Sequence, residues 1–202
     1  MLDSTDFKQL FTPIAPEQIP DDVFTLAGKI FPVITAGTRG RYNSMTASGG
    51  GMGLHFRKPV TYCLLASRRY TLELIQEART YTLSYFPDEY QRQVIFLGSE
   101  SGRESDKMQK VELTAVETPV GNISFKEARL IIECALTQIT TPGIEDFSSQ
   151  ETRDYLSKTY ADAGEVRKYV FGEITQTWVK RERPGGQVRT ATAVGQQQAA
   201  DA

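Results

Sequence analysis

The sequence predicts a mainly β protein, a barrel or sandwich with a few short helices appended. Three observations predict it. Several short segments alternate apolar and polar residues at the period of two expected of half-buried strands. The helical patterns are few and short, and they do not alternate with the strands as a doubly wound sheet requires. No GxGxxG follows a strand, so the glycine signature of a dinucleotide-binding Rossmann domain is missing.

In chain order, residues 1–27 are polar and broken by Pro13, Pro16 and Pro20, and read as an irregular arm with a helical turn near Asp21–Leu26. Ile30–Ala36 is short, apolar and β-branched, and ends at Gly37. Pro59–Ser67 places Val60, Tyr62, Leu64 and Ala66 on one face. Tyr81–Phe86 alternates Tyr81, Leu83 and Tyr85 against Thr82, Ser84 and Phe86. Ala128–Thr137 sets Leu130, Ile132, Cys134 and Leu136 against Arg129, Glu133 and Thr137. Tyr169–Val179 is the last strand, and Gly172 inside it marks a bulge.

Thr71 is the expected N-cap of a helix over Leu72–Ala78, with Glu73 in the first turn. Asp88 and Gln91 form a capping-box pattern for a helix stopped at Gly98. Ser101 and Glu104 form another, opening a helix through Lys110, and Ser149–Tyr160 reads as a surface helix. The domain is expected over 28–181. Residues 182–202, rich in Gly, Gln, Ala and Thr, are expected to be disordered.

Bulk composition narrows the function. The 202 residues suffice for one domain with a real core. A net charge of −2 exerts no pull toward nucleic acid or an anionic membrane. No apolar run approaches the roughly 20 residues that cross a bilayer, and the N-terminus lacks a signal-peptide pattern. Cys63 and Cys134 lie far apart inside apolar runs and read as buried structural thiols, which points to the cytoplasm. With one histidine, His55, no metal set and no Ser-His-Asp arrangement can be assembled. An enzyme so short of reactive side chains borrows a cofactor.

Three segments can hold one. Arg41–Gly53, RYNSMTASGGGMG, gathers a carboxamide, three hydroxyls and four glycines after the first strand. Such a loop suits the imide edge of a flat ring or a phosphate, and equally suits a mobile connection. Ser67-Arg68-Arg69-Tyr70-Thr71 puts two guanidinium groups at a helix start, a natural anion site. Gly98–Lys107 joins hydroxyls, glycines and cations at a second helix start, and the two can converge on one phosphate.

The runs ITAG (34–37), NSMTASGGGMG (43–53), KPV (58–60), RRYT (68–71), YTLSYF (81–86), SESGRESDK (99–107) and GEI (172–174) resemble the flavin reductase-like, FMN-binding split-barrel proteins, in their flavoredoxin-like branch. The resemblance spans residues 7–180. It implies a Greek-key split β-barrel with short peripheral helices, a homodimer, and FMN bound near the dimer interface. It implies that Asn43, Ser44, Met45, Thr46, Ala47 and Ser48 line the flavin ring and ribityl chain, largely through backbone atoms. Arg68, Tyr70, Thr71, Ser101, Gly102 and Lys107 would then supply ribityl and phosphate contacts. Gly49 departs from the family, which often has Trp there, and bears on substrate preference. The chemistry implied is hydride transfer from NADH or NADPH to flavin, then electron transfer to a small-molecule or protein acceptor. Flavin N5 takes the hydride, so no protein residue is expected to be catalytic. A non-catalytic flavin-binding or flavin-storage protein is the alternative.

Overall fold

A computed structural model describes residues 7–160 and 166–181. Ten strands and six short helices follow one another in the order α1 (Phe7–Leu10), β1 (Phe11–Ile14), α2 (Val23–Thr25), β2 (Val33–Thr38), β3 (Arg41–Thr46), β4 (Gly50–His55), β5 (Lys58–Leu65), α3 (Tyr70–Ala78), β6 (Thr80–Tyr85), α4 (Gln91–Ser99), α5 (Lys107–Lys110), β7 (Ala115–Glu117), β8 (Ile123–Phe125), β9 (Leu130–Thr140), α6 (Gln150–Thr159) and β10 (Lys168–Lys180).

The main sheet is antiparallel, in the order β3-β2-β6-β9-β10-β5-β4, with β1 added to β10. The long β10 pairs with β9 along one edge. Its other edge is divided: Lys168–Glu173 pair with β5, and Thr177–Lys180 pair with β1. The hairpin β7–β8 stands apart as a two-stranded sheet.

Period-two patterning explains how one sheet has two cores. Ile34, Met45, Cys63, Leu83, Ile132, Cys134 and Val170 come from six strands and meet in one cluster, which requires the sheet to curl on itself. Their neighbours Val33, Ile131 and Trp178 point the other way, into a cluster with Phe11, Leu97 and Phe125. Strands buried on both faces read as continuous apolar runs, as β9 does over Leu130–Ile132.

The five segments read as strands are strands. Their limits move by up to three residues, at the start of β2, where a π-helical turn occupies Leu26–Ile30, and at the end of β9, which runs on to Thr140. The bulge at Gly172 is present: the β10–β9 register shifts between Phe171 and Gly172. A Cβ at that position would lie 2.3 Å from the Tyr81 hydroxyl, so only glycine lets the strand pass. Cys63 and Cys134 are free, buried thiols. Burial pushes both thiols up, Cys134 to about 12, which makes them unreactive.

Several expectations are corrected. The arm is not irregular throughout, because Phe11–Ile14 joins the sheet. The Gly-rich Arg41–Gly53 segment is not a loop: it forms β3 and most of β4, because its backbone groups pair with β2 and β5. Thr71 is not an N-cap. That position belongs to Arg69, and Thr71 is buried inside the first turn of α3. Asp88 caps nothing; a 3-10 turn, Asp88–Tyr90, leads into α4. Ser101–Lys110 is not one helix, since bonds from Glu104 and Ser105 to the Ser101 carbonyl make a tight turn and only Lys107–Lys110 is helical. Ser149 does cap α6, accepting from the Thr152 amide at 3.3 Å. The expected tail, 182–202, lies outside the described residues.

Candidate functional site

The site grows from the end of β5. After Leu65 the chain turns at Ser67–Arg69 and enters α3. Arg69 offers no capping acceptor, so the first-turn amides of α3 have no side-chain partner. This is a helix start of the kind that attracts anions.

β3 lies beside it. The Asn43 carboxamide donates to the Thr71 hydroxyl at 2.8 Å, tying strand to helix. The 99–107 turn closes the third side. Gly102 sits so near Asn43 that a Cβ there would be 2.1 Å from its Oδ1. The Arg103 amide donates to Ser101 Oγ at 3.3 Å. Lys107, only 1% exposed, donates to the carbonyls of Leu97 and Glu100, each at 2.9 Å.

These three segments enclose a cleft of about 760 Å³. Its rim is a stacked ionic cluster on Tyr70. The guanidinium groups of Arg41 and Arg103 lie 5.7 and 5.2 Å from the Tyr70 ring centroid. Arg103 also pairs with Glu73 at 2.7 Å, and Arg41 with Glu77 at 2.8 Å.

Electrostatically the cleft holds more positive charge than its own carboxylates balance. Arg68, Arg69, Arg103 and Lys107 line it, against Glu100 and Glu104. Burial, with Arg69 nearby, pushes the Lys107 amine down from 10.5 to about 8. Burial, then Arg167 and Arg68, lowers Arg69. The Arg69 Nε is buried and has no partner among the described residues. A buried orphan donor beside Arg68, Arg69 and Lys107, cations that outnumber the lining carboxylates Glu100 and Glu104, is chemistry complementary to an anion with several acceptor oxygens.

Eight of the expected site residues line this cleft: Asn43, Met45, Arg68, Tyr70, Thr71, Ser101, Gly102 and Lys107. Ser48 lies in an adjoining cleft of about 820 Å³, together with Gly49, Leu64, Tyr155, Tyr160 and Arg167; Arg68 lines both clefts. Three residues are turned elsewhere. Ser44 Oγ is buried against Thr35 Oγ1 at 2.8 Å. The Thr46 hydroxyl donates to the Val94 carbonyl of α4. Ala47 packs in the barrel core. His55 sits at the β4–β5 hairpin, 5.3 Å from the Phe171 ring, and lines neither cleft.

Arg103 is the main residue that motif reading passed over, although it falls inside the quoted 99–107 run. Tyr155, Tyr160 and Arg167 carried no signal, because only folding brings α6 and the start of β10 to Ser48. Among the described residues no group of three or more His, Cys, Asp or Glu is placed to hold a metal.

The described residues thus form a split β-barrel with a cationic cleft at the uncapped start of α3. Residues 28–191 match the model of the flavin reductase like domain, and the chain belongs to that family. No curated protein matches. Solved structures share the fold at low identity. An FMN-binding protein from Thermus thermophilus with bound 1-cyclohex-2-enone is 21% identical, with a TM-score of 0.58 over 83% of this chain and 79% of that one. A flavoredoxin of Desulfovibrio vulgaris (Miyazaki F) is 19% identical, with a TM-score of 0.57 over 82% of this chain and 76% of its own. A flavoredoxin from Methanosarcina acetivorans is 16% identical, with a TM-score of 0.57 over the same shares.

Proposed function

We propose that the chain is an FMN-binding oxidoreductase that passes electrons from NADH or NADPH to a small-molecule or protein acceptor. One observation carries the reading: Arg68, Arg69 and Lys107 converge at the bare start of α3, and Arg68 opens onto a second cleft at Ser48–Gly49. A phosphate fits the first cleft and a flat ring the second. Arg68, Ser101, Lys107 and the first amides of α3 hold the phosphate. Asn43 and Tyr70 bound the ribityl path. The β3–β4 corner at Ser48 faces the ring.

Bound flavin supplies a two-electron acceptor for hydride, chemistry that asks the protein for orientation and exclusion of water rather than for an acid or base. The stacked cluster on Tyr70 fixes the cleft wall. The Asn43–Thr71 bond holds β3 and α3 at a constant spacing.

Two further features support a homodimer in the cytoplasm. Tyr62, Tyr169 and Phe171 form an aromatic platform on the outward side of β5 and β10, their centroids 5.7 to 6.4 Å apart. Beside them β4 is an edge strand with Gly51 opposite Tyr62, a flat surface suited to a second copy. The two free thiols suit a reducing compartment. No helix among the described residues is long and apolar enough to cross a membrane.

The decisive measurement is the visible spectrum after FMN addition and desalting, followed by anaerobic NADH or NADPH. Retained flavin bands that bleach rapidly with nicotinamide are expected. A colourless protein with no saturation on FMN titration overturns the reading. Retained bands that do not bleach identify a flavin-storage protein instead.

A further inference from the structure

The Ser48 cleft differs from the phosphate cleft in its charge. Arg68 and Arg167 line it, and no carboxylate of the described residues does. Its floor is apolar and low, made by Gly49, Leu64 and Ala66. Gly49 has no side chain to fill the space, and a Cβ there would only touch Leu64, at 3.4 Å. The cleft of about 820 Å³ therefore stays open above that floor. Tyr155 and Tyr160, from α6 and its C-terminal end, add aromatic rings to the lining.

Arg167 is held in place without being neutralised. Its Nε donates to the Tyr160 hydroxyl at 3.1 Å, and its guanidinium lies 5.9 Å from the Tyr160 ring centroid. A guanidinium carries more donors than that one bond uses. Among the described residues no carboxylate pairs with Arg167, Arg68 or Arg69. The three cations sense one another, since Arg167 and Arg68 add to burial in lowering Arg69. The FMN reading gives Arg68 to the phosphate and has no use for Arg167. A low apolar floor beside tyrosine rings suits a planar conjugated molecule, and a fixed guanidinium suits a carboxylate or sulfonate on it. A neutral molecule in the same place would leave Arg167 unpaired beside two other cations.

We propose that the electron acceptor is a small planar anion, a quinone bearing a carboxylate or sulfonate, whose charged group is held by Arg167 in the Ser48 cleft. The proposal rests on the FMN reading above and names its acceptor. Overall, the C–H bond of the reduced nicotinamide breaks and gives up a hydride, two electrons with one proton. Solvent supplies a second proton. The two quinone carbonyls become the two hydroxyls of a hydroquinone, and the oxidised nicotinamide is released. Arg167 acts on binding alone and takes no part in the electron transfer.

Calorimetry on the FMN-loaded full chain tests the binding, with naphthoate as a planar anion and naphthamide as its neutral counterpart. Naphthoate is expected to bind about tenfold more tightly, the worth of one charge-assisted contact. Arg167→Gln is expected to abolish that preference, and Arg167→Lys to keep most of it. Flavin fluorescence should show that Arg167→Gln moves the FMN affinity by less than about twofold. Steady-state NADH oxidation tests the consequence, with naphthoquinone sulfonate set against naphthoquinone. Arg167→Gln should lower the kcat/KM ratio of the anionic to the neutral quinone by about tenfold, through the KM of the anion. Equal binding of naphthoate and naphthamide overturns the proposal and leaves the FMN reading standing. So does an Arg167→Gln variant whose KM for NADH rises as much as that for the sulfonate, which would assign the arginine to the nicotinamide nucleotide. A chain that retains no FMN is the failure of the earlier reading, and the acceptor assignment falls with it. Circular dichroism of each variant confirms that the fold is retained.

Discussion

Glu133 and Lys107 are the buried charged side chains of the described molecule, and they are treated in opposite ways. Glu133, on β9, is fully enclosed and fully partnered. Its carboxylate accepts from Trp178 Nε1 at 2.7 Å, from the Thr118 hydroxyl at 2.7 Å and from the Asn122 amide at 2.6 Å. It fastens β10 and the β7–β8 hairpin to the barrel. Lys107 meets two main-chain carbonyls, and its amine is pushed down by burial and by Arg69, against the opposing pull of Glu100. A buried charge completed by its own protein is architecture. One left short of a counter-charge, at the edge of a cleft, is readiness for a ligand.

The sharpest way to break this contrast is to remove each charge. Glu133→Ala leaves two donors and an indole N–H unpaired in the interior, and is expected to cost about 3 kcal/mol in urea unfolding. It should leave the FMN affinity per folded molecule nearly unchanged. Lys107→Met should do the reverse. FMN binding is expected to weaken by about 2 kcal/mol, read by fluorescence titration, with little loss of stability because an uncompensated burial is relieved. A Lys107→Met protein that binds FMN normally but melts early would reverse the assignment.

Smaller effects sharpen it. Gly102→Ala forces the turn away from Asn43 and is expected to weaken FMN by about 1 kcal/mol, measured in the same titration. Thr46→Val removes the bond to the Val94 carbonyl; it should lower stability by about 1 kcal/mol and spare the flavin. The finest effect is a pH slope. Lys107 is pushed from 10.5 down to about 8 in the folded protein, so between those values the unfolded chain binds more protons. Stability of the flavin-free protein should therefore rise across that window in denaturant melts. FMN affinity should fall over the same range as the ammonium is lost. Lys107→Met should flatten both trends.

Much of the fold was legible in the residues. Alternation over 81–86 and 128–137 announced β6 and β9, and Gly172 announced its bulge. β1, β7 and β8 were not legible, because three or four residues are too few to show a period. The Gly-rich stretch misled for a physical reason: glycine has low intrinsic strand preference, and only pairing with β2 and β5 overrides it. The motif runs located the cleft's main segments. They did not show which side chains enter it, since β3 alternates and sends Asn43 and Met45 to one side and Ser44 and Thr46 to the other.

The sequence by itself determined a β-rich chain, inert thiols, a shortage of catalytic side chains, and cations clustered near two turns. These are local properties, set by period, composition and neighbouring residues. Tertiary structure decided which of those cations share a cavity, that Lys107 is buried with two carbonyls for company, and that Arg68 lines two adjoining clefts. Those depend on strand pairing and helix docking between segments dozens of residues apart, which no short window of sequence encodes.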